Sequence, residues 1–401
     1  MKVRIYSPFL PYPVTEGAFR VIFDQVFTFL SFQHEVELVT WKDGDEAYQK
    51  KIAQWIKLGA LPEVRRLAMI SEDTHLKRVW LSLVSDVASP EVFYYPPLQS
   101  DTLETLGSCD LAIYHYSFAH HWLKQKDLLP DETKRVVHFH NLESELFDLR
   151  AKTSPFYTRA IHRNNARTLQ SHEADLGHWV DELWFVSPVD AARWKFFGGQ
   201  QDKVRLIPPT YTFEISNWRP QVLPDLQGVT DHNLLGFIGG MKFKPNQESA
   251  LWIIDQLLPE LDRKGFQGKI LMLGHGAQEF FRSRELSSRF EILPENTDLS
   301  DFFSRLSWML VPHVSGSGVR IKLLDALAQK IPVLATPEAV ERLHPDLQHS
   351  PLIVSSSDPK VWADRIISEK PFESRLRYRD LPFADAMRGE VVYQRVLQGC
   401  S

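Results

Sequence analysis

Short apolar runs alternate with longer amphipathic stretches along most of the chain. Residues 2–7 form the first apolar run, and from Phe19 to Phe32 apolar side chains recur on one face of a helix. Residues 36–40 return to the apolar pattern of a strand. A strand, a helix and a second strand in this order predict a parallel sheet that is flanked by helices.

The alternation continues through both halves of the chain. Residues 41–108 are less regular, with helical pieces predicted near 46–58 and 75–87. Further strands are predicted at 110–115, 135–140, 182–187, 203–208, 234–240, 269–274, 290–294, 307–312, 331–335 and 351–355. The last six strands are separated by short helical stretches, which is typical of a doubly wound parallel sheet. The first helix of this half is predicted to open near Asn246, with that residue as its N-cap.

A proline-rich break divides the two sets of strands. Four prolines and no helical period between residues 207 and 228 indicate a linker. We therefore expect an α/β protein of two Rossmann-like domains, whose parallel sheets face each other across a cleft. The predicted boundaries are 1–208 for the first domain, 209–228 for the linker and 229–370 for the second domain.

Composition and charge narrow the class of protein. A chain of 401 residues with 43% hydrophobic and 24% charged residues is an ordinary globular one. Its net charge of −5 provides no global basic field, so nucleic acid is not expected as a partner. Two cysteines, Cys109 and Cys400, suit a reducing compartment, and no run of eighteen apolar residues occurs. The start of the chain already resembles a strand rather than a leader, so a cytoplasmic location is expected.

The stretch Val311–Ala335 holds the most concentrated candidate chemistry. A loop of serines and glycines leads from a buried strand into a helix, whose first N–H groups favour an anion. Arg320 and Lys322 stand in the first turn of this helix, and Asp325 shares a face with Lys322. Cations suit a pyrophosphate and a carboxylate suits ribose hydroxyls, so the stretch predicts a nucleotide site. A capped helix with a surface Lys–Asp pair is the alternative.

The residues of this stretch carry a resemblance to a known family. The segment GSGVRIKLLDALAQKIPVLAT (316–336) resembles the donor-nucleotide signature of GT-B glycosyltransferases of family 4, the glycosyltransferase group 1, in the branch that has roughly GGGTRxKxLEAMAxGxPVVxT. Other segments are similar to motifs of that family in the same order: RVVHFHNLESELF, SHEADLGHWVDELWFVSPVDAARW, KVRLIPPTY, FIGGMKFKPNQES, LMLGHGAQEF and FEILPENTDLSDFF. Together they cover most of residues 1–345.

The resemblance implies a retaining sugar transfer from a nucleotide-diphosphate sugar, with UDP or GDP as the nucleotide and no metal or other cofactor. Arg320 and Lys322 would neutralise the diphosphate as it leaves, which is the main electrostatic demand of such a transfer. Asp325 stands where the family has a glutamate that holds the ribose. Ser317 stands where many members have a glutamate that touches the sugar, and His140 where a histidine faces sugar and acceptor. His140, Arg320 and Lys322 are the predicted catalytic residues.

Several glycines and backbone positions are assigned to the donor in the same way. Gly17 would lie in a loop that closes over the diphosphate. Gly239 and Gly240 would let the first strand of the second domain approach the phosphate, although many relatives carry an arginine at position 240. Backbone groups of Leu293 and Pro294 would meet the base. The predicted donor site is completed by Gly274, Gly318 and Val319. The family also implies that a last helix, at about 383–401, packs back on the first domain.

Two other functions stay open at this point. A non-catalytic relative that binds nucleotide sugar is suggested by Ser317 and Asp325, which depart from the family pattern. A GT-B nucleotide-sugar epimerase would need additional carboxylates and histidines placed for proton transfer. His140 could also be a hydrogen-bonded core residue at the end of a strand.

Two possible metal motifs are interpreted as structural. The histidine pairs His120–His121 and His138–His140 lack the partners and spacing of a ligand set, so no metal site is predicted. Asp43-Gly44-Asp45 imitates a metal-binding Asp-x-Asp motif but has the composition of a turn.

Basic residues interleave with apolar ones between residues 50 and 67, including Lys50, Lys51, Arg65 and Arg66. This stretch could lie on an anionic membrane surface, or form a helix with a solvated basic face. The expected partners are a nucleotide-diphosphate sugar and a glycan, lipid-linked or protein acceptor, in bacterial polysaccharide, glycolipid or glycoconjugate assembly. Peripheral contact with the inner face of the membrane is left open.

Overall fold

The contacts of the computed structural model divide the chain into two units. The residues that it describes are 1–12, 14, 17–56, 63–66, 88–96, 106–125, 129–197, 200–211, 233–313, 315, 317–369, 381 and 384–398. The first unit comprises Met1–Glu214, Ser317–Val319 and Ala386–Ser401, and the second comprises Ile215–Gly316 and Arg320–Asp385. The predicted domain boundaries stay predictions, because residues 212–228 of the predicted linker lie outside the described residues.

A parallel sheet forms the centre of the first unit. Its described strands are β1 Lys2–Tyr6, β2 Glu35–Thr40, β3 Glu63–Arg66, β4 Cys109–His115, β5 Glu132–Phe139, β6 Glu182–Phe185 and β7 Val204–Leu206. They lie in the order β3-β2-β1-β4-β5-β6-β7, and each pairing is parallel. Strand β1 pairs with β2 on one side and β4 on the other, so the chain changes direction across the sheet at β1.

Helices flank this sheet. They are α1 Gly17–Ser31, α2 Asp45–Ile56, α3 Ser89–Tyr94, α4 His120–Lys124, α5 Glu143–Thr153, α6 Phe156–Asp175, α7 Pro188–Phe196 and, at the end of the chain, α16 Gly389–Gln398. Single turns of 3₁₀-helix lie at Ser117–Ala119, Leu176–His178, Gln201–Lys203 and Asp385–Met387. Helix α16 packs on α1, where the rings of Phe29 and Tyr393 are 5.2 Å apart.

The second unit is built on another parallel sheet. Its described strands are β8 Leu234–Ile238, β9 Lys269–Leu273, β10 Phe290–Ile292, β11 Trp308–Val311, β12 Val333–Ala335 and β13 Ile353–Ser355. The order is β10-β9-β8-β11-β12-β13. Because β8 lies between β9 and β11, the order of the strands reverses there, and ligands of such sheets bind at the carboxyl ends beside that point.

The helices of the second unit follow its strands in alternation. They are α8 Lys244–Trp252, α9 Leu258–Arg263, α10 Ala277–Phe280, α11 Leu299–Arg305, α12 Ile321–Ala328, α13 Pro337–Val340, α14 Pro345–Gln348 and α15 Pro359–Ser368. A π-helical segment, Ile253–Leu257, joins α8 to α9. Among the described residues, no helix has both the length and the apolar character needed to cross a membrane.

The predicted α/β class with two Rossmann-like domains is confirmed, and each predicted strand is present with small differences in its ends. Strand β3 was not predicted. The helix that was expected to open at Asn246 begins earlier, at Lys244, so the N-cap assignment was wrong and Asn246 lies inside the first turn. The helical piece predicted at 75–87 lies outside the described residues.

The basic stretch of residues 50–67 is not a single helix, because α2 ends at Ile56 and Arg65 and Arg66 belong to β3. Strand β3 pairs with β2, which places Arg65 Nε 2.6 Å from Oε1 of the buried Glu37. The alternative of one helix with a solvated basic face was therefore wrong, whereas contact of these residues with a membrane surface stays a prediction. Lys57, Leu61 and Leu67 lie outside the described residues.

The turn expected at Asp43 is present before α2. Its carboxylate accepts hydrogen bonds from the backbone N–H of Leu10, at 2.7 Å, and from Nζ of Lys51, at 2.6 Å. The buried Asp43 side chain thus joins two loops of the first unit and neutralises a lysine of α2.

Candidate functional site

The carboxyl ends of β8 and β11 bring together residues from three parts of the second unit. Gly239 and Gly240 follow β8, and His313 follows β11. Helices α8 and α12 begin above these strand ends, so that Asn246 and Lys322 both lie within a first turn. A strand order that reverses between neighbouring strands therefore assembles one polar cluster from residues as distant in the sequence as Gly239 and Lys322.

Asn246 is the centre of this cluster. Its Oδ1 accepts from Lys322 Nζ at 3.0 Å and from His313 Nε2 at 3.2 Å, and its Nδ2 donates to the Gly240 carbonyl at 3.0 Å. Since the carbonyl oxygen of an amide accepts and its nitrogen donates, these three bonds agree on one orientation of the side chain. Asn246 thereby fixes the position of the Lys322 ammonium relative to the end of β8.

The Lys322 ammonium belongs to a half-buried side chain. It lies 4.6 Å from the centre of the Phe237 ring. Burial, and after it the charge of Arg320, hold the pKa of Lys322 well below its ordinary value of 10.5. An anion beside this group would stabilise its charged form, so binding of the anion and of a proton are expected to be coupled.

Arg320 stands immediately before α12 and is buried. Its Nη2 donates to the Ser315 carbonyl at 2.8 Å, and the Ser315 hydroxyl donates to Glu248 on α8 at 2.9 Å. The loop after β11 is thus held at both ends within the unit. The buried Arg320 and the half-buried Lys322 thus lie together beside the start of a helix, and their use as an anion site stays a prediction.

His313 was not singled out by the sequence reasoning. It is buried, and its pKa lies well below 6.5 because of burial and then the charges of Lys322 and Arg320. Its Nδ1 lies 3.1 Å from Ser249 Oγ, while Nε2 faces Asn246. A neutral histidine therefore joins β11 to α8. The available signal was its position directly after a strand, at the end of the sheet where ligands bind.

The glycines of the predicted donor site differ in what they accommodate. A Cβ on Gly239 would lie 2.6 Å from Cγ of Asn246, and one on Gly274 would lie 2.1 Å from the carbonyl oxygen of Gly239. A Cβ on Gly240 would have its nearest neighbour, the His275 carbonyl oxygen, at 4.0 Å. Packing within the unit leaves no room for a side chain at Gly239 or Gly274. At Gly240 there is room for a Cβ atom.

The other donor assignments in the second unit follow β10 or lie on α12. The Leu293 N–H donates to the Met272 carbonyl at 2.8 Å, and the Pro294 carbonyl accepts from the Thr297 N–H at 3.0 Å. Asp325 is half-buried, one turn beyond Lys322 on α12.

The contacts group Ser317–Val319 with the first unit. Ser317 is buried there, and Gly318 adopts a left-handed φ of 72°. Gly17 is the first residue of α1 and is half-buried. None of these placements tests a role in donor binding, so these assignments stay predictions.

In the first unit, His140 ends a chain of buried hydrogen bonds. His140 Nε2 lies 2.9 Å from Nδ1 of His115, the last residue of β4, and His115 Nε2 lies 2.8 Å from Gln25 Oε1 on α1. Burial lowers the pKa of both histidines well below 6.5, and it lowers that of His138 to about 3. At neutral pH these imidazoles are uncharged.

Two buried carboxyl groups hold the segment that follows His140. Glu173 accepts from the Glu143 N–H at 2.8 Å, from the Ser117 hydroxyl at 3.0 Å and from the Ser144 hydroxyl. Burial raises the pKa of Glu173 to about 8 and that of Glu143 to about 7. Glu173 thus links the start of α5 to the turn after β4. With a pKa of about 8, its carboxyl group is protonated in much of the protein at neutral pH.

The histidines once considered as a metal cluster fall into separate hydrogen-bonded groups. His138 lies beside the His115–His140 pair, whereas His120 Nε2 is 2.9 Å from Asp175. Among the described residues, Glu91, His120 and His172 have potential ligand atoms within 4.8 Å of one another. The rings of His120 and His172 stack at 4.1 Å and 21°, so their lone pairs, which lie in the ring planes, do not converge on one ion.

Solved structures similar over the whole chain define the class of fold. HepE from Anabaena in complex with UDP has a TM-score of 0.60 at 11% identity, covering 100% of this chain and 99% of that one. A mutant of S. aureus TarM with fondaparinux, alpha-GlcNAc-glycerol and UDP has a TM-score of 0.65 at 9% identity, covering 99% of each chain. Sucrose-phosphate synthase from Thermosynechococcus elongatus has a TM-score of 0.60 at 12% identity, covering 100% of each. The fold is GT-B.

The family match concerns the second unit. Residues 232–368 match the family model described as Glycosyl transferases group 1, which includes the Asn246, His313, Arg320 and Lys322 cluster. No curated protein matches the chain. The predicted resemblance to group 1 is thus confirmed for this domain, while the particular signature branch stays a prediction.

Proposed function

We propose that the protein is a retaining, metal-independent glycosyltransferase that moves a hexose from a nucleotide-diphosphate sugar to an acceptor. The observation that carries the proposal is the pair of basic side chains, the buried Arg320 and the half-buried Lys322, at the carboxyl ends of β8 and β11 in a group 1 domain. Departure of a diphosphate develops negative charge, and preorganised buried cations stabilise such charge more strongly than exposed ones. Asp325, one turn further along α12, would hold the ribose.

The solved relatives support the choice of donor and acceptor. HepE is described in complexes with UDP and UDP-glucose, and TarM in a complex with UDP and glycan-like molecules. We therefore expect UDP or GDP as the nucleotide and a glycan, lipid-linked or protein acceptor, without a cofactor. His140 would face the sugar and acceptor. A role in polysaccharide, glycolipid or glycoconjugate assembly in the cytoplasm, with peripheral contact at the inner membrane face, belongs to the same proposal.

A panel of UDP-, GDP- and ADP-sugars tests the activity. Transfer, or slow release of free nucleotide with retention of configuration at the sugar, is expected for one donor class in the presence of a chelator. Binding of a nucleotide sugar without turnover, across the panel and with mixed glycan acceptors, would contradict the proposal and support a non-catalytic relative.

Titration calorimetry with UDP and GDP tests the site itself. Arg320→Ala and Lys322→Ala should each weaken nucleotide binding, whereas Lys360→Ala, which removes an exposed lysine of the same unit, should not. Loss of one charge-assisted contact corresponds to about a 10- to 100-fold weaker affinity. Parent-like binding by both site variants would show that the diphosphate lies elsewhere.

A nucleotide-sugar epimerase is the second candidate, because the first unit buries a pair of histidines, His115 and His140, and two glutamates with raised pKa values, Glu143 and Glu173. The bonds of Glu173 to backbone and hydroxyl groups favour a structural use of this carboxyl. If two donor sugars in the same panel interconvert and no sugar is transferred to an acceptor, the protein is an epimerase.

A further inference from the structure

The hydrogen bonds between Gln25, His115 and His140 restrict which nitrogens carry protons. Each contact along the chain has one proton to share: Gln25 Oε1 with His115 Nε2 at 2.8 Å, and His115 Nδ1 with His140 Nε2 at 2.9 Å. A neutral imidazole has one N–H donor and one acceptor nitrogen. The hydrogen-bonding role of Gln25 therefore determines which nitrogen of His140 carries the proton.

Starting from Gln25, the assignment follows step by step. An amide oxygen only accepts, so His115 Nε2 carries the proton and His115 Nδ1 is left as the acceptor. His140 must then donate from Nε2 to His115. The lone pair of His140 consequently lies on Nδ1, on the other side of the ring from this bond.

The surroundings keep the hydrogen-bonded side chains of Gln25, His115 and His140 uncharged and fixed in position. Gln25, His115 and His138 are fully buried, and burial holds the pKa of both His115 and His140 well below 6.5. The amide nitrogen of Gln25 lies 3.1 Å from the hydroxyl of Tyr393 on α16 and 3.5 Å from His138 Nδ1. The C-terminal helix thereby contributes to the orientation of the Gln25 amide.

We propose that Gln25, acting through His115, is a positioning residue that holds His140 as the tautomer with the proton on Nε2 and the lone pair on Nδ1. His140 lies directly after β5, at the carboxyl end of the sheet where ligands bind in folds of this type. A neutral Nδ1 there accepts a hydrogen bond from a sugar hydroxyl and cannot donate one. This use of His140 rests on the proposed glycosyltransferase function, whereas the tautomer itself does not.

Nitrogen-15 NMR of the full chain with labelled histidine tests the tautomer directly. The signals of His140 among the 15 histidines are identified from their loss in His140→Phe. The parent is expected to show a protonated Nε2 and an unprotonated Nδ1 for His140 at neutral pH. A protonated Nδ1 in the parent would overturn the proposal, whatever the enzyme's activity.

Two substitutions of Gln25 separate positioning from packing. Gln25→Glu keeps an acceptor opposite His115 and should preserve the His140 tautomer, although it places a carboxyl group in the core. Gln25→Met keeps the side-chain shape and removes the acceptor, so the His140 signals should become those of a mixture. If Gln25 served only packing, the reverse would be expected: Gln25→Met would leave the His140 signals unchanged and Gln25→Glu would disturb them. An unchanged His140 tautomer in Gln25→Met would therefore refute the proposal.

Once a donor and an acceptor are identified, steady-state kinetics test whether the His140 tautomer matters for sugar transfer. Gln25→Met and His115→Phe are each expected to lower kcat about 10-fold, which is less than the roughly 100-fold or more that loss of a proton acceptor costs, because His140 itself is kept. The KM for the donor should stay unchanged, because the proposed diphosphate contacts lie in the second unit. Thr28→Val removes a buried hydroxyl from the same helix outside the chain of histidines, and it should change neither kcat nor the His140 signals. An unaltered kcat in both relay variants would show that the tautomer has no part in transfer.

Discussion

The two units differ in the kind of charge that they bury. The second unit places Arg320 and Lys322 together at the end of its sheet, and their mutual repulsion and burial lower the pKa of Lys322. The first unit buries His115, His140 and Glu173 at the corresponding end of its own sheet, in hydrogen-bonded and largely neutral forms. The chain thus places two basic side chains at the end of one sheet and a largely neutral hydrogen-bonded network at the end of the other.

This difference has an energetic meaning. Burying a cation costs stability unless hydrogen bonds or an opposite charge compensate it, so a ligand of opposite charge would gain binding energy beside such a group. A satisfied network of neutral donors and acceptors avoids that cost and fixes geometry instead. We therefore expect substitutions in the second unit to change affinity for nucleotide, and substitutions in the first to change stability, pH dependence or turnover.

The largest effect is expected at Asn246, whose oxygen serves two buried donors. Asn246→Leu would leave Lys322 and His313 without this acceptor, at a cost of about 1–3 kcal/mol for each group. Asn246→Asp keeps the acceptor but adds a negative charge, so the fold should persist while UDP or GDP binds more weakly. Urea unfolding and calorimetry measure the two effects. A stable Leu variant with parent-like affinity would mean that the cluster is not organised around this amide.

Lys322→Met should separate affinity from stability. The parent lysine has a folded pKa below its unfolded value of 10.5, so between these values the unfolded chain binds more protons and stability rises with pH. The Met variant should lose that rise, unfold at a higher temperature below pH 10 and bind nucleotide about 10- to 100-fold more weakly. In the parent, calorimetry in buffers of different ionisation enthalpy should detect proton uptake on binding. Binding without proton uptake at any pH up to the ordinary value of 10.5 would contradict the lowered pKa of Lys322 in the free protein.

Glu173→Gln probes the neutral character of the first unit. Because the pKa of Glu173 rises from 4.5 to about 8, the folded chain binds more protons between these values, and its stability falls as pH increases through that window. The amide imitates the protonated acid, so the variant should lose this fall and melt higher at pH 8. Each kcal/mol regained corresponds to about 2–4 °C for a unit of this size. The two proteins should melt alike at pH 4.5, and a lower melting temperature for Glu173→Gln at pH 8 would contradict the raised pKa.

The smallest effect distinguishes two neighbouring glycines. Gly239→Ala places a methyl group against Asn246 and should cost about 1 kcal/mol or more, together with some affinity for nucleotide. Gly240→Ala has room and should behave as the parent does. Thermal melting and calorimetry of the pair give the comparison. Equal losses in both variants would imply that position 240 is also closely packed.

How much of the candidate site could be predicted depended on how its residues are spaced. Arg320, Lys322 and Asp325 belong to one loop and helix, so local periodicity and glycine content pointed to them directly. Asn246 and His313 are 67 residues apart and meet only because β8 and β11 are adjacent strands. Nothing in either local segment indicated the other.

The same limit applied to the first unit, where His140 could be assigned only through a family resemblance. Its proton-bearing nitrogen depends on His115 and Gln25, which are 25 and 115 residues away in the sequence. Strand β3 was missed for a related reason. Its charged sequence, Glu63–Arg66, resembles no buried strand, and Arg65 is accommodated there because β2 supplies Glu37 as an ion-pair partner.

The sequence by itself determined the two parallel sheets, because apolar runs and amphipathic helices encode burial locally. It also predicted an anion site in the segment after β11, since small residues, a helix start and two cations are contiguous there. Only the tertiary structure decided which groups hold those cations, which carboxyls stay protonated and which tautomer His140 adopts. These properties depend on burial and on hydrogen-bond partners from distant strands, and pairing between distant segments is set by the packing of the whole unit.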